Sequence, residues 1–231
     1  MQQPLALQLA TPITLLVLIG GGEFSFGETR EIDEFLVRNI PADRKRIAFL
    51  PTASGSAEYA THLGKYFKQI DAGIETINVP IYRGRDSRRG KNLNALLSAG
   101  MIYVGGGVTN NLLSTLRESP AEMAIRDAAA NGAVIAAIGA GAASFGTHAR
   151  DMRSAASALP ALGWIERTVI ETGFDPQDDV MLRRLMSLPE VDAGIGIPPR
   201  TAVAIQRDAT TSILGSGNIA VFRKAWAGKL L

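Results

Sequence analysis

The sequence predicts an α/β protein, a three-layer sandwich with a mostly parallel central sheet, helices on both faces and a partly antiparallel C-terminal extension. Three observations carry that expectation. Short apolar runs that stop at glycine or proline alternate with segments of helical period, the pattern of strand–helix–strand units. The early runs are apolar at nearly every position, as strands buried on both faces are. The last third changes to short runs separated by turn residues, which suits antiparallel pairs.

The elements follow in order. Residues 13–22, ITLLVLIGGG, form a continuous leucine and β-branched block with a glycine stop, a strand. Ile32, Phe35, Leu36 and Ile40 then recur at helical spacing. RIAFLPTAS (46–54) is a second strand ending at Pro51, and Tyr59, Leu63, Tyr66, Phe67 and Ile70 mark an amphipathic helix. IETINVPIY (74–82), MIYVGGG (101–107) and GAVIAAIGAG (132–141) supply the third to fifth strands. Helical patterns at 93–97, 111–116 and 121–130 lie between them. Farther on, WIERTVIE (164–171) precedes a helix at 178–188. AVAIQRD, TTSILGSG and NIAVFRK are then short strands with turns at Asp208 and Gly217-Asn218. No internal repeat, low-complexity tract or linker interrupts the chain, so residues 1–231 are expected to form one domain.

Composition excludes several function classes. Hydrophobic residues make up 46% and charged residues 20%, values of a globular chain rather than a disordered one. A net charge of +2 creates no field suited to nucleic acid. The absence of cysteine removes disulfides, thiolate nucleophiles and cysteine-ligated zinc. Two histidines, His62 and His148, are too few for a multi-histidine metal site, and neither a metal nor a cofactor is expected. The apolar stretch at 13–19 is too short to span a bilayer and no basic segment precedes it, so the expected location is cytoplasmic, without a membrane partner. The segment YRGRDSRRGK (82–91) carries five basic residues against one acid. Such a run is more often a solvated, mobile loop than a recruiter of an acidic partner, and with Tyr82 as its one aromatic it lacks the stacking surface of a nucleic-acid site.

Ligands of open parallel sheets sit at the carboxyl ends of the strands. Four glycine- or small-residue-rich loops occupy those positions: GGGEFSFGE (20–28), PTASGSAEY (51–59), GGGVTNNLL (105–113) and IGAGAASFG (138–146). The first fails as a dinucleotide fingerprint, because Ser25 stands where a glycine is wanted and Gly27 comes too late, which disfavours a nucleotide-binding protein. The last has the outline of a nucleophile elbow, a buried strand and a sharp small-residue turn into a helix. Its apical position is Gly139, which has no side chain.

Along nearly its whole length the chain resembles the serine peptidase family of dipeptidase E and cyanophycinase. The segments that carry the resemblance are IGGGEFSFGETREIDEFL, FLPTASGSAEY, VGGGVTNNLL, IGAGAA and GIGIPPRTAVAI, in that order. The last three are similar to the family's GGxT-type loop, TSAGA elbow and GxGIDExTA segment. The resemblance implies a flavodoxin-like, class I glutamine amidotransferase-like fold and a Ser-His-Glu triad. Carried over position by position, the elbow serine falls on Gly139, the histidine on Gly173 in ETGF, and the acid on Pro199, flanked by Pro198 and Arg200. Serine attack needs a hydroxyl, a base and a group orienting that base, and none of these three residues supplies one. No histidine follows position 148, so that loss does not depend on the register of the match.

A peptidase homologue without catalysis is therefore expected, retaining a backbone-lined cleft for a small peptide or carboxylate. N–H groups near Gly106, Gly107 and Ala140 would form its oxyanion hole, with Ser54 beside them. The alternative is an active hydrolase with relocated residues. Ser144 and His148 stand four apart and share a helical face if the helix after the elbow continues; otherwise Ser144 is a small core residue. Ser54 and His62 form a second such pair, Ser54 being otherwise a cap of the following helix or part of the pocket lining. Some relatives are dimeric, which makes a homodimer a further expectation of the resemblance.

Overall fold

The computed structural model describes residues 7–154 and 157–224. The one-domain expectation over 1–231 also takes in residues 1–6, 155–156 and 225–231, which lie outside the described residues.

Strand β1 (Leu15–Ile19) leads through a 3-10 turn at Phe24–Phe26 into helix α1 (Arg30–Asn39). Then come β2 (Arg46–Leu50), α2 (Glu58–Ile70), β3 (Glu75–Asn78), α3 (Gly90–Leu97) and β4 (Met101–Val104). Helices α4 (Thr109–Leu116) and α5 (Pro120–Ala130) precede β5 (Val134–Ile138) and the short α6 (Ala140–Ala143). Strands β6 (His148–Arg150), β7 (Ala158–Pro160) and β8 (Thr168–Thr172) lead to α7 (Val180–Met186). Strands β9 (Ala193–Ile197), β10 (Thr201–Gln206), β11 (Thr211–Gly215) and β12 (Ala220–Arg223) complete the described fold.

Seven strands form the central sheet in the order β11-β10-β1-β5-β4-β2-β3. The five from β1 to β3 are mutually parallel; β10 runs antiparallel to β1, and β11 to β10. The predicted three-layer sandwich follows from the side-chain period of two. On β1, Leu16 and Leu18 enter one core while Leu15, Val17 and Ile19 enter the other. Strands β2, β4 and β5 divide in the same way. Ile32 and Leu36 of α1 and Leu63 and Phe67 of α2 cover one face; Leu96, Leu112, Leu116 and Ile125 of α3, α4 and α5 cover the opposite one. Helix α5 begins cleanly because Ser119 accepts the N–H of Glu122 and Pro120 occupies the first turn, where its missing N–H costs nothing.

The C-terminal third departs from expectation. AGIGI, which overlaps the start of GIGIPPRTAVAI, is strand β9, and with β8 and β12 it makes a separate three-stranded sheet. That sheet buries Val169, Phe174, Leu182 and Leu185 against α7. The turn at Gly217-Asn218 therefore passes the chain between sheets instead of closing a hairpin. Strands β6 and β7 pair with each other, a hairpin the sequence pattern did not reveal.

The basic segment is a pinned turn rather than a mobile loop. The buried Asp86 carboxylate accepts the N–H groups of Tyr82 and Arg83 (3.2 and 3.1 Å), and Asn92 Nδ2 donates to the Asp86 carbonyl (2.9 Å). Among the described residues no helix is long and apolar enough to cross a membrane, and no cluster of three or more His, Asp or Glu side chains is placed to hold a metal ion.

Candidate functional site

The exit of β1 is the organising feature of the site. Three successive carbonyls there, of Ile19, Gly20 and Gly21, accept the N–H groups of Gly139 (3.0 Å), Gly173 (2.8 Å) and Arg200 (2.8 Å). Gly139 follows β5, Gly173 follows β8, and Arg200 lies beside Pro199 in the β9–β10 turn. Three positions far apart in sequence thus meet at one rim: Gly139 and Arg200 through the central strand order, with β1 between β5 and β10, and Gly173 through β8, which pairs with β9 in the separate sheet.

At Gly139 the backbone takes φ 56° and ψ −123°, the sharp strand-to-helix turn of an elbow. A Cβ built there meets only the Gly106 Cα, at 3.8 Å, so the space a side chain would enter is open. The facing β4–α4 turn is tightly constrained. At Gly107, φ is +140° and a Cβ would lie 2.5 Å from the Ala53 carbonyl carbon. Only glycine lets the β4 exit close onto the β2 exit, where the Val108 N–H donates to the Ala53 carbonyl (3.0 Å). Among the described residues, the N–H groups of Gly106, Gly107 and Ala140 donate to no backbone carbonyl.

A cavity of about 480 Å³ lies over this turn, bounded by Gly21, Gly22, Gly106, Ile138, Phe49 and the residues entering α2. Ser54 lines it, as expected, but does not cap α2, whose N-cap is Ala57 with no side-chain bond. The Ser54 hydroxyl donates to the Pro51 carbonyl (3.3 Å) and accepts the Ser56 N–H (3.3 Å). His62, Ser56, Glu58 and Tyr59 also line the cavity. The periodicity placed Tyr59 on the apolar side of an amphipathic helix, and it does pack against Phe24 and Phe49. It is half-buried and also lines the cavity, with its phenol pushed up to about 12 by burial and the nearby Glu23 and Asp33 charges, so the hydroxyl stays a donor.

The Ser144–His148 pairing does not form. Helix α6 ends at Ala143, so Ser144 is its C-cap and His148 opens β6. The Ser144 hydroxyl is fully buried and donates to the Ala140 carbonyl (2.7 Å), while His148 Nε2 lies 3.1 Å from Glu190 Oε1. The physical reason is the turn at 144–147. Phe145 packs edge-on against Trp164 with ring centroids 4.9 Å apart, and the Thr147 N–H donates to the Thr168 carbonyl (2.8 Å), pulling the chain away from a helical path.

Beside the cleft, between α1 and α2, Asp33 is buried. Its Oδ2 accepts from Thr29 Oγ1 (2.7 Å) and Tyr66 Oη (2.8 Å), and Oδ1 has no partner. Burial pushes this carboxyl up to about 6 against the opposing effects of those two bonds and of Arg30. The folded state therefore binds this proton more tightly than the unfolded chain does. The resulting stability is fully present below the ordinary value of 3.8 and is lost as pH rises through about 6. A shift of about two units corresponds to roughly 3 kcal/mol. In urea titrations between pH 4 and 7, Asp33→Asn is expected to remove that decline relative to the parent chain. Parallel pH profiles for the two proteins would refute it.

A model of peptidase family S51 matches residues 16–213. The uncharacterized peptidase YgaJ of Bacillus subtilis (strain 168) is 30% identical over 155 residues, an alignment spanning 65% of this chain and 65% of YgaJ. The crystal structure of a peptidase from an acI-B1 Actinobacterium superposes with a TM-score of 0.75, at 23% identity over 91% of each chain. A putative peptidase E protein from Listeria monocytogenes EGD-e gives a TM-score of 0.56 at 18% identity, over 92% of this chain and 100% of that one. At such identities the two structures speak for the fold, while the family model spans the sheet from β1 to β11 and includes the elbow. The chain belongs to peptidase family S51, the dipeptidase E-like serine peptidases.

Proposed function

We propose that this protein is a peptidase homologue that binds a small peptide or carboxylate in the elbow cleft without hydrolysing it. The observation that carries this is the convergence at the β1 exit: the positions that resemblance assigns to nucleophile, base and acid meet at one rim, and Gly139, Gly173 and Pro199 occupy them. Main-chain donors at Gly106, Gly107 and Ala140 remain for a carbonyl or carboxylate oxygen, because a cradle of N–H groups does not depend on side chains. Neither metal nor cofactor enters this scheme, and the ligand is a small molecule rather than a nucleic acid or a membrane; a homodimer is compatible with it.

A second reading, hydrolysis by relocated residues, rests on Ser54, Ser56 and His62 lining the same cavity. Against it, no hydrogen bond joins His62 to either hydroxyl, and Ser54 directs its proton to Pro51. Mass spectrometry of Asp-Leu and of cyanophycin incubated with the protein is expected to show no cleavage above background, while calorimetry detects Asp-Leu binding. Cleavage that disappears in Ser54→Ala or His62→Ala would establish the second reading instead.

Gly139→Ser separates geometry from chemistry. The open space at the elbow accepts the hydroxymethyl group, and the positive φ costs about 1–3 kcal/mol for a side-chain-bearing residue. The expected variant is folded and still inactive, since base and acid are missing. Turnover of Asp-Leu by this single variant would show that another residue takes the serine proton.

A further inference from the structure

The cleft continues past the elbow. Tyr59 and His62 line both the cavity described above and an adjoining groove of about 620 Å³ between α2 and the 3-10 turn that follows β1. Glu58, His62, Lys65 and Gln69 recur at intervals of four, three and four along α2, so they form one stripe, and all four are exposed. Glu58 and His62 face the elbow cavity, while His62, Lys65 and Gln69 face the groove.

Other charges around the groove are already engaged. Arg30 pairs with Glu34 (2.6 Å), and the Glu23 carboxylate accepts the Ser25 N–H and hydroxyl (3.2 and 3.0 Å). Among the described residues, the side chains of Glu58, His62 and Lys65 make neither a hydrogen bond nor an ion pair. The opposite wall is aromatic: Phe24 packs edge-on against Tyr59 with centroids 5.2 Å apart. Phe26, between the lining residues Ser25 and Gly27, is 84% exposed.

We propose that this groove binds a linear peptide of three to five residues, its free amino group at Glu58 beside the elbow and its carboxylate at Lys65 or beyond. At about 1.5 Å of rise per residue, Glu58 and Lys65 lie about 10 Å apart along the helix and Glu58 and Gln69 about 16 Å. An extended peptide advances about 3.3 Å per residue, so three residues span the two opposite charges and five fill the groove. The aromatic wall suits side chains, and the Tyr59 hydroxyl and His62 ring stand between the charged ends, where peptide carbonyls and amides would pass. A phosphorylated ligand is disfavoured because Glu58 and Glu23 line the same passage. This inference rests on the proposal that the cradle holds a ligand carbonyl, and extends it to the length and direction of that ligand.

Calorimetric titration of the whole chain with Leu-Ala, Leu-Ala-Leu and Leu-Ala-Leu-Ala-Leu tests it. The tripeptide is expected to bind about tenfold tighter than the dipeptide, the pentapeptide at least as tightly as the tripeptide, and N-acetylated or C-amidated tripeptide about tenfold more weakly than the free form. Lys65→Glu, at an exposed position, is expected to weaken the tripeptide about tenfold while leaving the dipeptide unchanged. Equal affinity for di- and tripeptide, or indifference to Lys65→Glu, would overturn the groove proposal and leave the cradle intact. Failure of every peptide to bind would overturn both.

Discussion

Phe49→Ala is expected to destabilise the fold by about 3–5 kcal/mol, the range for removing a buried aromatic ring. Phe49 is 1% exposed on β2 and its ring centroid lies 5.6 Å from that of Tyr59 and 6.1 Å from that of Tyr103. The ring also edges the elbow cavity, so the same deletion removes part of the cleft floor. Urea unfolding measures the first effect and peptide titration the second. Phe49→Leu, which keeps most of the volume, is expected to lose much less stability. A loss below about 1 kcal/mol for Phe49→Ala would mean that the β2 exit is not packed as described.

Gly107→Ala is expected to cost about 2–4 kcal/mol and to abolish ligand binding. Two effects combine. An alanine at φ +140° is strained, and its Cβ would sit 2.5 Å from the Ala53 carbonyl carbon and 2.6 Å from the Ser54 amide nitrogen, both backbone atoms that cannot swing aside. Relief requires the β4–α4 turn to part from the β2 exit, which moves the N–H groups of Gly106 and Gly107 away from the elbow. Gly106→Ala is the control: its Cβ would lie 3.3 Å from the Ile138 carbonyl oxygen, a contact relieved by a few tenths of an ångström. Retained binding in a stably folded Gly107→Ala protein would remove the cradle from the proposed function.

The cleft was legible in the sequence to the extent that strand exits and small residues mark it. Gly106 and Ser54 line the cavity, Ala140 follows Gly139 at the start of α6 and Gly107 packs on the β2 exit, because the carboxyl ends of parallel neighbours share one edge of the sheet. Lys65 was not legible as a cleft residue, and Glu58 and Tyr59 were marked only as the end of the 51–59 loop. Tyr59 shares the helical period of Leu63 and Tyr66, and a period reports which face of a helix is apolar without saying where the covering elements end. Ser144 and His148 failed for a related reason: spacing of four has meaning only inside a helix, and α6 stops at Ala143.

The residues alone determined the alternation of strands and helices and the two-sided burial of the central strands, and they carry the expectation that hydroxyl, imidazole and carboxylate are missing at the positions to which the resemblance assigns a triad. These are local properties of side-chain type and period. Tertiary structure alone decided that Gly139, Gly173 and the Pro199–Arg200 turn hang from consecutive carbonyls at the β1 exit, and that the cleft runs on along α2. Both depend on which strands become neighbours and how close their exits come, and those distances are set by packing across the sheet rather than by any segment's own sequence.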